Sequence, residues 1–102
     1  MANIQEARRA LVARILEGEG TAVQVQRRAA FANERLEEPL QTLVRKVAER
    51  AHSVSDEDVA RAKHAGLSED QIFELVICAA VGQATRQFEA ALTALDAATA
   101  KG

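Results

Sequence analysis

Aromatic side chains are scarce in this chain of 102 residues, which has three Phe and no Trp or Tyr. Its core must therefore be aliphatic and Ala-rich. Each Ala buries little area, so such a core is thin and favours an oligomer as the stable unit. A single cysteine, Cys78, excludes an intrachain disulfide and fits a reducing, cytoplasmic setting. A single proline, Pro39, and the lack of any alternating strand pattern point to an all-α fold. No run reaches the roughly eighteen apolar residues of a membrane span. Residues 1–4 do not begin a charged leader followed by an apolar stretch, so no signal peptide is expected. Positive charge is not in excess either. The net charge is −2, and the basic residues are interleaved with acids, which leaves no electrostatic footprint for nucleic acid.

What is present is ordinary for one globular domain: 48% hydrophobic and 27% charged residues, in a chain long enough to bury roughly two thirds of its unfolded surface. Residues 3–17 place Ile4, Ala7, Leu11, Val12, Ile15 and Leu16 at helical spacing, and Glu17-Gly18-Glu19-Gly20 ends that helix. The glycines read as a C-cap and loop, since a dinucleotide fingerprint needs a third glycine and a preceding strand. Thr21 is placed to cap a second helix running to about Asn33, with Val23, Val25, Ala29, Ala30 and Phe31 on an uneven apolar face; an irregular stretch at Val23 and Val25 is the alternative. Glu37-Glu38-Pro39 opens a third helix, in which Leu40, Leu43, Val44, Val47 and Ala51 form one stripe. The pairs Arg8/Arg9, Arg27/Arg28 and Arg45/Lys46 read as solvated faces.

The stretch that organises the rest runs from Ser53 to Leu95. Ser55 stands three residues before Asp58, and Ser68 three before Gln71, the spacing of two capping boxes. Asp56, Glu57, Glu69 and Asp70 place negative charge in both first turns. Gly66 suits a left-handed C-terminal cap between the helices. The fourth helix, 56–65, is short and polar, with Val59 and Ala62 inward. The fifth, 69 to about 97, carries Ile72, Leu75, Val76 and Ala79 on one face. A second face holds Phe73, Ile77, Val81, Ala84, Phe88, Leu92 and Leu95. No polar side chain interrupts residues 75–82, so this section is expected at the centre of the fold or against another subunit. Leu75, Val76, Ala79, Ala80 and Gly82 are the candidate oligomer contacts. Gly82 inside a helix calls for close approach of another backbone. Cys78, with no cation, helix N-terminus or base near it in sequence, reads as a packing residue.

A short helix, Ala65-Gly66-Leu67-Ser68 and a second helix also describe a helix-turn-helix DNA reader. The would-be recognition helix begins Glu69-Asp70 and continues with Ile72, Phe73 and Leu75, which sets acids against phosphates and apolar groups against base edges. DNA binding is not expected.

Residues 58–76, Asp-Val-Ala-Arg-Ala-Lys-His-Ala-Gly-Leu-Ser-Glu-Asp-Gln-Ile-Phe-Glu-Leu-Val, resemble the signature of the alkylhydroperoxidase D-like and carboxymuconolactone decarboxylase superfamily. The resemblance spans roughly 39–95. It implies an all-α, oligomeric core over 37–97, preceded by a helical extension over 1–36. In the peroxidase-type members a Cys-x-x-Cys-x-x-x-His motif lies ahead of the Gly turn, with an upstream Glu. Carried over by position, the His falls at Asp58, the cysteines at Val54 and Ala51, and the Glu at Pro39, beside Glu37 and Glu38. Every carrier of the redox chemistry is replaced, and without a thiol pair no dithiol cycle can run there.

Proton-transfer chemistry of the decarboxylase type needs no thiol. His52, with Asp56 and Asp58 close in sequence, is the candidate acid–base group, set against the reading of His52 and His64 as surface residues at helix ends. The same three residues lack a recognised metal-ligand spacing, so no metal is expected, and no cofactor. The expected protein is a single-domain all-α bundle of about five helices with a long C-terminal helix. It works through self-association or a protein partner, with a His52-based enzyme acting on a small organic acid as the alternative.

Overall fold

The computed structural model describes residues 2–100, with side chains from Gln5 onward; Ile4 as an apolar position and residues 101–102 lie outside the described part. Five α-helices follow in order: α1 (Ala2–Glu17), α2 (Gln24–Ala32), α3 (Leu40–Glu49), α4 (Asp56–His64) and α5 (Glu69–Ala100), with a 3-10 turn at Ala51–Ser53. No strand occurs among the described residues, so the all-α expectation holds. None of these helices is long and apolar enough to cross a membrane.

α5, at 32 residues, is the strut on which the others lie. Its start is a full capping box, with Ser68 N–H donating to Gln71 Oε1 at 2.8 Å and Gln71 N–H to Ser68 Oγ at 3.1 Å. The turn before it is set by Gly66, at φ +104°. There Leu67 N–H donates to the Ala62 carbonyl and Gly66 N–H to that of Lys63, closing the end of α4 in a Schellman motif. α3 lays Leu40, Leu43 and Val44 against Ile72, Leu75, Cys78 and Ala79 of α5, with Ala22, Ala30 and Ala62 completing the buried core. Each fully buried Leu or Val here contributes about 1.5–3 kcal/mol.

α2 crosses α5 at Gly82. A Cβ on that residue would run into the carbonyl oxygen, carbonyl carbon and Cα of Phe31. The backbone approach that a helix-interior glycine calls for thus comes from the chain's own α2. Arg86, one turn on, donates from Nη1 to the Phe31 carbonyl at 2.6 Å, taking up one of the carbonyls left free at the end of α2.

Several expectations are corrected. Thr21 does not cap α2; Val23 precedes it with no side-chain cap, and Thr21 is bound instead to Glu74. Ala51 leaves the α3 stripe because the helix ends at Glu49, and Ala48 takes the buried place. Residues 75–82 are covered on one side only. Leu75, Ala79 and Gly82 are buried by α2 and α3 of the same chain, which removes them as candidate oligomer contacts; Val76 is half-buried and Ala80 exposed. On the second face of α5 nothing is fully buried: Phe73 is 64% exposed, while Ile77 and Phe88 are half-buried where α1 approaches.

Beyond Arg86 only Phe88 and Leu92 of α5 are even half-covered. Arg8 of α1 meets this end, stacked 5.2 Å from the Phe88 ring centroid and 3.8 Å from Glu89, so it is not a freely solvated charge. The molecule is elongated, 54 × 28 × 20 Å, with a radius of gyration of 15.5 Å. A compact chain of this length would have about 13 Å.

Two glycine substitutions separate conformation from space. Gly66→Ala meets no atom but forces a left-handed residue, and is expected to lower stability by about 1–2 kcal/mol. Gly82→Ala gains about 1 kcal/mol of helix propensity, yet is expected to lose about 1–3 kcal/mol net, because Phe31 backbone stands in the way. Urea melts would read both, and a Gly82→Ala midpoint at or above wild type would refute the close crossing.

Candidate functional site

The positions singled out from the sequence surround the junction of α3, the 3-10 turn and α4. His52 sits on the 3-10 turn and is exposed, as is Asp56 at the start of α4. Neither makes a side-chain hydrogen bond among the described residues, so the structure does not assemble His52 with a carboxylate. His64, at the end of α4, is also exposed. No group of three His, Cys, Asp or Glu residues placed to hold a metal ion occurs among the described residues.

Asp58 is different. It is 3% exposed and engaged on all sides. One carboxylate oxygen, Oδ2, accepts from Ser55 N–H at 2.9 Å and from Ser55 Oγ–H at 3.1 Å; Lys46 Nζ reaches both oxygens at 2.9 and 3.0 Å. Arg61 lies 3.6 Å away. The Ser55 backbone bond, then the Lys46 ammonium, hold this carboxyl below the ordinary carboxylate range, against the opposing effect of burial. A carboxylate held ionised in this way is a poor proton donor. It serves as the reciprocal half of the capping box that starts α4 and ties that helix to α3. Lys46 is accordingly no solvated charge.

Asp58 also lines a cavity of about 210 Å³ with Glu38, Pro39, Thr42 and Arg61. The positions that the resemblance pairs as Glu and His, Pro39 and Asp58, thus do share one wall of the fold. Neither supplies a mobile proton. Glu38, beside Pro39, accepts from Thr42 Oγ1–H and Thr42 N–H, which lowers its pKa and caps α3. Of the two positions at which the resemblance would put cysteines, Ala51 is exposed and Val54 half-buried against the core.

A larger cleft lies elsewhere, between the end of α1, α2 and α5. It measures about 510 Å³ and is lined by Leu11, Ile15, Arg27, Glu74, Ile77 and Cys78, with Arg14, Gly18 and Glu19 at its edge. Arg27, expected as a solvated residue, is 6% exposed. Its Nη1 donates to the carbonyls of Ile15 (3.1 Å) and Gly18 (2.7 Å), capping the C-terminal end of α1. Glu74 accepts from Thr21 N–H, Thr21 Oγ1–H and Ala22 N–H at 2.5–3.0 Å. Burial pushes the Glu74 carboxyl up, but these bonds and the Arg27 charge bring it below its usual range. Gly20 leaves the space that the Glu74 carboxylate occupies; a Cβ there would push that carboxylate off its donors.

Cys78 sits on the floor of this cleft. Burial raises its thiol pKa and Arg27 opposes, so the cation absent near it in sequence is present in space without activating it. The sequence held one signal for this cluster: Arg27 is three residues before Ala30, on the stripe of α2 that is buried.

Comparison with protein-family models, with curated proteins and with solved structures finds no match.

The Asp58 knot predicts a pH signature. Its folded pKa lies below the unfolded value near ~4, so its contribution to stability is present above that value and fades as pH falls through the lower folded pKa. Asp58→Asn should therefore be less stable than wild type by a constant margin above about pH 5, with the difference shrinking at lower pH. Thermal melts from pH 7 to 3 would read it. A margin that does not change with pH would mean the carboxylate is not specially held.

Proposed function

We propose that this chain is a degenerate member of the alkylhydroperoxidase D-like and carboxymuconolactone decarboxylase superfamily that works by association, first with a second copy of itself, and not by catalysis. The observation that carries the reading is the uncovered side of α5. Phe73, Ile77, Ala80 and Ala84 recur at i, i+4, i+7 and i+11, one continuous helical face, and none of the four is buried. Beside it Val59, Ile72, Phe73 and Val76 line an open dish of about 230 Å³, rimmed by the Lys63–Glu69 ion pair. An apolar floor with a charged rim is the composition of a protein-binding surface. The thin, Ala-rich core and the elongated shape agree with a chain whose burial is completed by a partner.

The support for the family reading is local: a short helix, a Gly turn and a capped long helix follow one another over 56–100, and Pro39 and Asp58 line one cavity. The proton-transfer alternative has less to stand on, since His52 is exposed without a carboxylate partner and Asp58 is committed to Ser55 and Lys46. Cytoplasmic placement rests on the lone, buried Cys78 alone.

Light scattering behind size exclusion, over a dilution series, tests the proposal. Wild type should elute as a multiple of 11.0 kDa. Phe73→Glu should shift it to the monomer while leaving the helical circular dichroism intact, since the ring is exposed in the isolated chain. A wild type that stays monomeric at about 100 μM, some hundredfold above a micromolar dissociation constant, would overturn it.

A further inference from the structure

The cleft between α1, α2 and α5 holds a cation with one edge of its hydrogen-bonding fork unused. Arg27 Nη1 is engaged by the Ile15 and Gly18 carbonyls. In a guanidinium, Nε and Nη2 lie together on another edge and present two parallel N–H bonds, the geometry that matches a carboxylate. Nε is buried without any partner among the described residues, and no hydrogen bond among them engages Nη2. A buried N–H without an acceptor is costly, and a native structure that keeps one has a reason to.

Glu74 is the carboxylate closest to hand, but the donors of Thr21 and Ala22 take up its oxygens, and it forms no ion pair with Arg27. The surroundings of Arg27 set the ligand's chemistry. The walls, Leu11, Ile15 and Ile77, are apolar, while the charged groups on the same lining balance, Arg14 and Arg27 against Glu19 and Glu74, and Glu74 already has its donors, so Arg27 is left to take one carboxylate. The volume of about 510 Å³ falls within the range of small-molecule sites.

We propose that this cleft binds a monocarboxylate with a compact apolar body. The carboxylate is taken by Arg27 at Nη2 and, after a small turn of the side chain that brings the enclosed Nε to the cleft, at Nε, and the body lies against Leu11, Ile15 and Ile77. Binding completes the hydrogen bonds of Arg27 and, through Nη1, firms the hold of α2 on the end of α1. The site is separate from the dish at Phe73 and from the junction at Asp58; it shares Ile77 with the α5 face proposed for association, but its Arg27 contact does not rest on that reading.

The test titrates the full chain with 4-phenylbutyrate and, as the uncharged match, 4-phenylbutanamide, by calorimetry. The acid is expected to bind at least about tenfold more tightly than the amide, the worth of a charge-assisted fork. Arg27→Lys keeps a positive charge and a donor for the α1 carbonyls but has no fork, and should lose that preference. Leu11→Trp leaves Arg27 untouched and narrows the cleft, so it should weaken acid and amide alike; this variant decides the matter if Arg27→Lys fails to fold. Equal affinity for acid and amide, no saturation with the acid, or binding unaffected by Leu11→Trp would each overturn the proposal. The same titration on Phe73→Glu should give the same affinity, which separates failure of this site from failure of association.

Discussion

The contact on which the rest depends is the crossing of α2 over α5. It is fastened at two points, and a glycine opens the space at each. At one end Glu74 gathers Thr21 and Ala22, over the space left by Gly20; at the other the Phe31 backbone rests on Gly82, and Arg86 holds its carbonyl. Because Thr21 meets Glu74 and Phe31 meets Gly82 and Arg86, the two helices run in the same direction. Only a backbone-to-backbone approach lets so small a core exclude water. Ala22, Ala30 and Ala79 bury little area each, and they contribute only if the helices come close enough to touch.

That crossing decides where chemistry can and cannot reside. It brings Arg27 under the end of α1, where its guanidinium serves carbonyls that no intrahelical donor can reach. It carries Glu74 and Cys78 to the same place. The junction of α3 and α4 is built on the opposite logic, since its buried carboxylate is already spoken for. Asp58 accepts from a backbone N–H, a hydroxyl and an ammonium, and a carboxylate with that many donors is held in one protonation state. Groups that pass protons need a pKa near the working pH. Asp58 has been moved away from it, and His52 has been left in solvent.

The signals readable from the chain were local ones. A Ser three residues before an Asp or Gln, acids in a first turn and a Gly after a helix end each act through atoms within a few residues. Ser55, Ser68 and Gly66 accordingly stand where they were expected. Gly82 was readable as a request for a neighbour, though not for which one. What could not be read were partnerships between distant segments: Glu74 with Thr21, Lys46 with Asp58, Arg27 with the end of α1. A charged residue in a sequence looks solvated until its partner is known, so Arg27, Arg8 and Lys46 were all placed on the surface.

The sequence by itself determined an all-α chain, the starts of α4 and α5 with the glycine stop between them, the need for backbone contact at Gly82 and the absence of any thiol pair. Those follow from capping, periodicity and composition, whose physics extends over one or two turns. Only the tertiary structure decided which side of α5 is covered. It also decided that Leu75, Ala79 and Gly82 belong to the chain's own core, and that the buried cation is Arg27. Burial is a property of what another segment brings within contact distance, and that is settled by the crossing of α2 and α3 on α5, which no local pattern encodes.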